Sequence, residues 1–138
     1  MNSQPSGNPG RAKNNLARTV ANLVVHLIFS TKGRQALITP HIRSDLFGYL
    51  GGIVREMHAK AIIVGGTDDH VHMLIQIRPA QSVADIARTI KANSSRWVRE
   101  KLNARFSWQT GYGAFSVSES SVPEVCRSRF FNRNSWRS

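Results

Sequence analysis

Two histidines stand one residue apart, at 70 and 72, in the run His-Val-His-Met-Leu-Ile-Gln-Ile. Such a run is a strand, so side chains alternate between faces: His70, His72, Leu74 and Gln76 share one, Val71, Met73, Ile75 and Ile77 the other. The second set is the core face. At a rise of ~3.3 Å per residue the Cβ atoms of His70 and His72 lie roughly 6–7 Å apart, close enough for two imidazoles to chelate one divalent ion. Asp69, immediately before them, is placed to accept a ring N–H, which sets the tautomer and turns the other nitrogen toward a metal. The remaining histidines read differently. His26, in a strand apolar on both sides, is expected to be a hydrogen-bonded core residue, and His41 and His58 flank a helix as capping or surface groups. The single Cys126 has no disulfide partner and lies in no Cys/His zinc spacing.

The elements that must position the pair follow from periodicity. Residues 22–30 (NLVVHLIFS) are β-branched and aromatic on both faces and predict a central strand. Thr39-Pro40 reads as an N-cap followed by proline at the first helical position, and Ile42, Leu46, Tyr49, Leu50, Ile53 and Met57 recur at helical spacing up to His58. Gly48, Gly51 and Gly52 inside that helix suggest close backbone packing against a neighbour. Residues 60–64 and 70–77 form a hairpin across Gly-Gly-Thr-Asp-Asp. Ser82 and Asp85 resemble a capping box before a second helix with Val83, Ile86, Ala87, Ile90, Ser94, Trp97 and Val98 on its apolar side. Residues 108–118 predict a last strand, and Ser-Val-Pro-Glu from 121 starts a third helix. The order β-α-β-β-α-β plus a terminal helix predicts an α+β, ferredoxin-like antiparallel sheet with helices on one face and the other face open.

Charge bounds the partner. Nineteen Lys and Arg against eight Asp and Glu give +11 in 138 residues, which favours a polyanion and above all nucleic acid. Residues 1–18 carry Arg11, Lys13 and Arg18, and residues 127–138 carry Arg127, Arg129, Arg133 and Arg137, with no acid in either tail. Residues 19–126 retain twelve cations against eight acids. At about 100° per residue, Arg88, Lys91 and Arg99 fall within an arc of about 80° on the second helix, with Arg96 a little further round. That stripe could grip a phosphate backbone; it also fits an ordinary solvated helix face. No run approaches ~18 consecutive apolar residues and the first eighteen lack a signal-type apolar segment, so a soluble, cytoplasmic protein without membrane association is expected.

Four stretches resemble a known family. Val-Gly-Gly at 64–66 with Asp-His-Val-His-Met-Leu-Ile at 69–75, Val-His-Leu-Ile-Phe-Ser-Thr-Lys at 25–32, Lys-Ala-Asn-Ser-Ser-Arg-Trp at 91–97 and Gly-Tyr-Gly-Ala-Phe-Ser-Val-Ser at 111–118 are similar to the single-tyrosine HUH transposases. These are the insertion sequence 200/605 type and the related REP-associated tyrosine transposases. The resemblance implies a DNA transposase that cuts and rejoins single-stranded DNA at mobile-element ends and hairpins. It implies Mg²⁺ or Mn²⁺ held by His70 and His72, and a tyrosine that attacks the phosphate to leave a 5′-phosphotyrosine and a free 3′-OH. It further implies a homodimer, the sheets joined side by side and the tyrosine helix of one subunit serving the histidines of the other.

The sequence departs from that pattern after Val125. The tyrosine position falls on Ser128 or Arg129, the glutamine four residues on falls on Asn132 or Arg133, and no tyrosine follows Tyr112. Of the two tyrosines, Tyr49 belongs to the apolar stripe of the first helix and Tyr112 to the last strand. The expected division is a disordered basic arm over 1–19, a transposase-like domain over 20–125 and an aberrant basic tail over 126–138, as in a truncated or frameshifted copy without its nucleophile. The competing reading is a non-catalytic single-stranded nucleic-acid-binding module, a regulatory remnant or a relative of the RNA-recognition motif. Against the latter, Thr110 stands where that motif has Lys or Arg.

Overall fold

A computed structural model of the chain describes residues 23–130 and the backbone of 136–137, so the arm expected over 1–19 and positions 132 and 133 lie outside the described residues. Strand β1 (Leu23–Ser30) leads through a short turn to helix α1 (Pro40–Glu56). The hairpin of β2 (Lys60–Gly66) and β3 (His70–Ile77) follows, then α2 (Val83–Lys101), β4 (Gly113–Val117), a short helix α3 (Val122–Val125) that runs into a π-helical turn over Cys126–Phe130, and β5 (Trp136–Arg137). The sheet is antiparallel throughout, in the order β4-β1-β3-β2-β5. The first four strands and the two long helices are the α+β, ferredoxin-like arrangement expected from the element order.

The two sheet faces differ. Val71, Met73, Ile75 and Ile77 of β3 join Val25, Leu27 and Phe29 of β1 in one apolar core beneath α1 and α2, as the alternation predicts. Helix α1 starts at Pro40 and buries Ile42, Leu46, Phe47, Leu50, Ile53 and Val54. Ser82 caps α2, its Oγ accepting the Asp85 backbone N–H at 3.2 Å. Tyr49 and Trp97 stack where the two helices meet, ring centroids 4.3 Å apart and nearly parallel. Trp108, expected within the last strand, makes only a single bridge to Thr31; its buried indole N–H donates to Ser94 Oγ at 2.9 Å, and β4 begins five residues later at Gly113.

The second face, expected to be open, is partly closed. Phe130 is fully buried against Val24, Ile63 and Leu74, with Val122, Val125 and Cys126 packed around it. The segment after Val125 therefore does not simply trail away as a basic tail. Its one large apolar side chain in the described part seals the sheet, while Arg127, Ser128 and Arg129 stay exposed.

Glycines in α1 and at the hairpin differ in what they require. A Cβ at Gly48 or Gly52 would meet nothing within 4 Å, so the close packing expected there is absent and these glycines only loosen α1. Gly66 ends β2 where a Cβ would stand 2.2 Å from the His70 carbonyl oxygen, so the tight hairpin before the histidines requires a residue without one. Gly48→Ala and Gly52→Ala should each stabilise the chain by about 0.5–1 kcal/mol, and Gly66→Ala should cost about 1–3 kcal/mol, read from urea unfolding midpoints.

Candidate functional site

The β1–β3 register brings three histidines together. Ile28 faces His72 and His26 faces Leu74, so His26 and His72 are diagonal neighbours on one face of the sheet. Their rings lie 5.1 Å apart between centroids, and His26 Nε2 is 2.9 Å from His72 Nδ1. The His70 ring stands 4.9 Å from that of His72, edge to face. His26 is buried, as expected of a hydrogen-bonded core residue, whereas His70 and His72 are half-buried. His41 and His58 are exposed at the two ends of α1, far from this chemistry in role.

His70 is held from the hairpin. Its Nδ1 lies 2.8 Å from Asp69 Oδ1 and 2.9 Å from Thr67 Oγ1, and Arg34 pairs with the Asp69 carboxylate at 3.3 Å. The His70 hydrogen bond, reinforced by Arg34 and Thr67, holds the Asp69 carboxyl below its ordinary range. The backbone of this corner is fixed from outside: the Asp69 carbonyl accepts the Thr31 N–H at 2.9 Å and its hydroxyl at 3.2 Å. Thr31 is wholly buried, so this support is rigid. Thr67 was readable as part of the hairpin loop; the roles of Thr31 and Arg34 depend on a long-range contact that no local pattern signals.

Both Nδ1 atoms are thus occupied, and no hydrogen bond among the described residues takes the Nε2 of His70 or His72. That is the donor set a divalent ion needs from two imidazoles, each oriented from behind. No third His, Cys, Asp or Glu of the described residues joins them in a metal-binding cluster, and oxygens of a substrate or solvent are ligands that could complete a shell begun by the two rings. Burial, then the charges of His26, His70 and Arg129, push His72 down to about 4, and burial with Arg129 also lowers His26. Both rings are neutral at pH 7.

The surroundings are aromatic. Phe130 closes one side, its ring 5.6 Å from that of His26 and 5.9 Å from that of His72. On the other side Phe115 of β4 lies opposite His26 and is 59% exposed, next to a hollow of about 310 Å³ lined by Ile28, Ser30, Gly111, Tyr112 and Gly113. Tyr112 also borders a second hollow with Ala84, Arg88 and Lys91. Ser128, at the expected nucleophile position, is exposed, and among the described residues its Oγ meets only the Val125 carbonyl, at 3.5 Å. Arg129 contributes charge to the histidines and no nucleophile.

The stripe on α2 is not brought to the histidines, because α2 packs on the opposite face of the sheet. Lys91 Nζ donates to the carbonyls of Gln109 (2.7 Å) and Gly111 (2.5 Å), and burial lowers its pKa. Arg99 bonds Ser95 and the Phe106 carbonyl. These two cations tie the loop before β4 to the helix. Arg88 pairs with Asp85 and Arg96 with Asn93 at the exposed surface, and only Arg88 and Lys91 border the hollow that leads round β4.

Sheet order and helix placement define the fold of the single-tyrosine transposases. The chain matches a transposase-described structure from Deinococcus radiodurans with a TM-score of 0.67 at 21% identity, over 76% of this chain and 86% of that one. It matches a REP-associated tyrosine transposase bound to a REP hairpin with a TM-score of 0.59 at 10% identity, over 90% of this chain and 67% of that one. In sequence it is 26% identical over 113 residues to the ISDra2 transposase TnpA of Deinococcus radiodurans, covering 77% of this chain and 81% of that protein. The family model for IS200-like transposases matches residues 19–127. The chain belongs to the IS200-like transposase family.

The neutral His72 has a consequence for stability. An unfolded histidine titrates near 6.5, so between about 6.5 and 4 the unfolded chain binds a proton that the folded ring refuses. In metal-free buffer the stabilisation should be complete above pH 6.5 and decline as pH falls toward 4, by on the order of 1–2 kcal/mol after solvent screening. His72→Gln should flatten that slope in urea titrations run at each pH.

Proposed function

We propose that this member of the family binds single-stranded DNA with a divalent cation, Mg²⁺ or Mn²⁺, at His70 and His72, and that it lacks the nucleophile for tyrosine-mediated strand transfer. The observation that carries the reading is the pair of Nε2 atoms that take no hydrogen bond among the described residues, each on a ring whose Nδ1 is already engaged. Asp69 orients His70 and His26 contacts His72, so both ligands are set before any cation arrives. A bound divalent cation supplies Lewis-acid polarisation of a scissile phosphate.

The remaining parts fit a single strand. Exposed Phe115 and Tyr112 offer π-faces on which unpaired bases can stack, beside the histidines and along the hollows of β4. Arg88, with Lys91 behind it, places positive charge at the far end of that track, and Arg96 and Arg99 extend the positive surface along α2. A hairpin is the ligand of one structural relative, and the same class of DNA, mobile-element ends, is the natural candidate here. Strand β4 pairs with β1 on one side only among the described strands, so its outer edge is where two sheets of a homodimer would join.

Catalysis of nicking and joining needs a nucleophile near the phosphate, and no tyrosine follows Tyr112. Among the described residues Ser128 has no base within hydrogen-bond reach. The basic, tyrosine-free run after Val125 reads as a change of frame, and nucleotide sequence past codon 125 that encodes tyrosine and a glutamine four residues on in another frame would support it. The aromatics beside the histidines also suit a purely binding role, the second reading, in which the chain is a regulatory remnant.

The wild-type chain should bind Mn²⁺, and His70→Ala with His72→Ala should abolish that binding, measured by loss of the free-ion EPR signal; a double variant that still binds Mn²⁺ would refute the histidine assignment. Incubation with a single-stranded element end and Mn²⁺ should leave no protein–DNA adduct on a denaturing gel. An adduct there would show that a nucleophile is present after all.

A further inference from the structure

We propose that His26 is a positioning residue that selects the tautomer of His72, accepting its Nδ1–H so that the Nε2 lone pair is free to bind a metal; this rests on the metal-binding role proposed for the pair.

The facing nitrogens, His26 Nε2 and His72 Nδ1, are 2.9 Å apart and need one hydrogen between them. A neutral imidazole carries a single N–H, so only two arrangements exist. If His26 donates, His72 holds its own proton on Nε2 and has no lone pair there to offer. If His72 donates from Nδ1, its Nε2 is a bare acceptor and the His26 proton sits on Nδ1. The contact is therefore a gate on ligand competence, with the two states differing only in where two protons lie.

The neighbouring ring indicates which state the site is built for. At His70 the partner of Nδ1 is the Asp69 carboxylate, which can only accept, and this fixes His70 with Nε2 bare. For both rings to present the same donor, His26 must do for His72 what Asp69 does for His70. A carboxylate in the place of His26 would be costly, because the position is 8% exposed, faces Phe130 at 5.6 Å and Phe115 at 6.5 Å, and lies in a strand with Val24, Val25 and Leu27 buried around it. A neutral acceptor is what that environment tolerates. The diagonal β1–β3 placement holds the acceptor in line, and Phe130 packs over both rings and restricts their rotation.

The test compares wild type with His26→Gln, whose side-chain carbonyl can accept the same bond, and His26→Leu, which cannot. Long-range ¹H–¹⁵N correlation spectra without metal should show His72 as the Nδ1–H tautomer in wild type and in His26→Gln, and an altered tautomer population in His26→Leu. Mn²⁺ affinity should fall by about ten- to a hundredfold in His26→Leu and be largely restored in His26→Gln. Far-UV circular dichroism and thermal midpoints identify a variant that has lost its fold; should His26→Leu do so, the wild-type tautomer and the His26→Gln affinity decide. An Nε2–H tautomer at wild-type His72, or Mn²⁺ binding by folded His26→Leu as tight as wild type, overturns the proposal. Failure of wild type itself to bind Mn²⁺ overturns the metal-binding reading instead, and the tautomer measurement still judges His26 alone.

Discussion

The structure depends on the antiparallel pairing of β1 with β3. They are neighbours in the interior of the sheet, and eight residue pairs from Leu23↔Ile77 to Ser30↔His70 set their register. Sliding one strand by a single residue would exchange its faces, sending Val25, Leu27 and Phe29 away from the helices and turning His26 into the core beneath them. The helix-side core resists that slip, because Val71, Met73, Ile75 and Ile77 are almost completely buried. Hydrophobic burial on one face thus fixes polar geometry on the other. The histidine cluster is specified mainly by residues that never touch it.

The same division explains what could be read from the sequence. Alternation in residues 70–77 predicts which side chains share a face, and the capping signals at Thr39-Pro40 and Ser82 locate both long helices, since these patterns are local. The contact between His26 and His72 joins residues 46 apart and rests on strand register, which periodicity does not determine. His26 was legible as a buried, hydrogen-bonded residue but its partner was not. Phe130 escaped for another reason: it sits among arginines, with no apolar period to mark it, and is buried only because the segment folds back over Val24, Ile63 and Leu74. Two of the three glycines of α1 illustrate the reverse error. Their composition suggested close packing, while the space beside Gly48 and Gly52 is empty.

Charge needs similar care. A helical wheel gives the direction in which Lys91 and Arg99 leave α2, yet both turn back to carbonyls of the loop before β4, so they are structural as well as basic. That loop ends at Tyr112 and Gly113, where the exposed aromatics begin. The cations of α2 and the histidines occupy opposite sides of the sheet, and β4 is the border between them. Any polyanion that engages both has to pass round this border rather than run along one face, which suits a flexible unpaired strand better than a stiff duplex.

The burial of Phe130 bears on the order in which the protein is made. Chains emerge from the ribosome from the amino terminus, and among the described residues the helix-side core draws on none later than Trp108. That half can begin to consolidate before the segment carrying Phe130 has emerged. Until then His26, His72 and the apolar patch of Val24, Ile63 and Leu74 lack the cover that Phe130 gives them, so the nascent chain presents a stickier surface than the finished one.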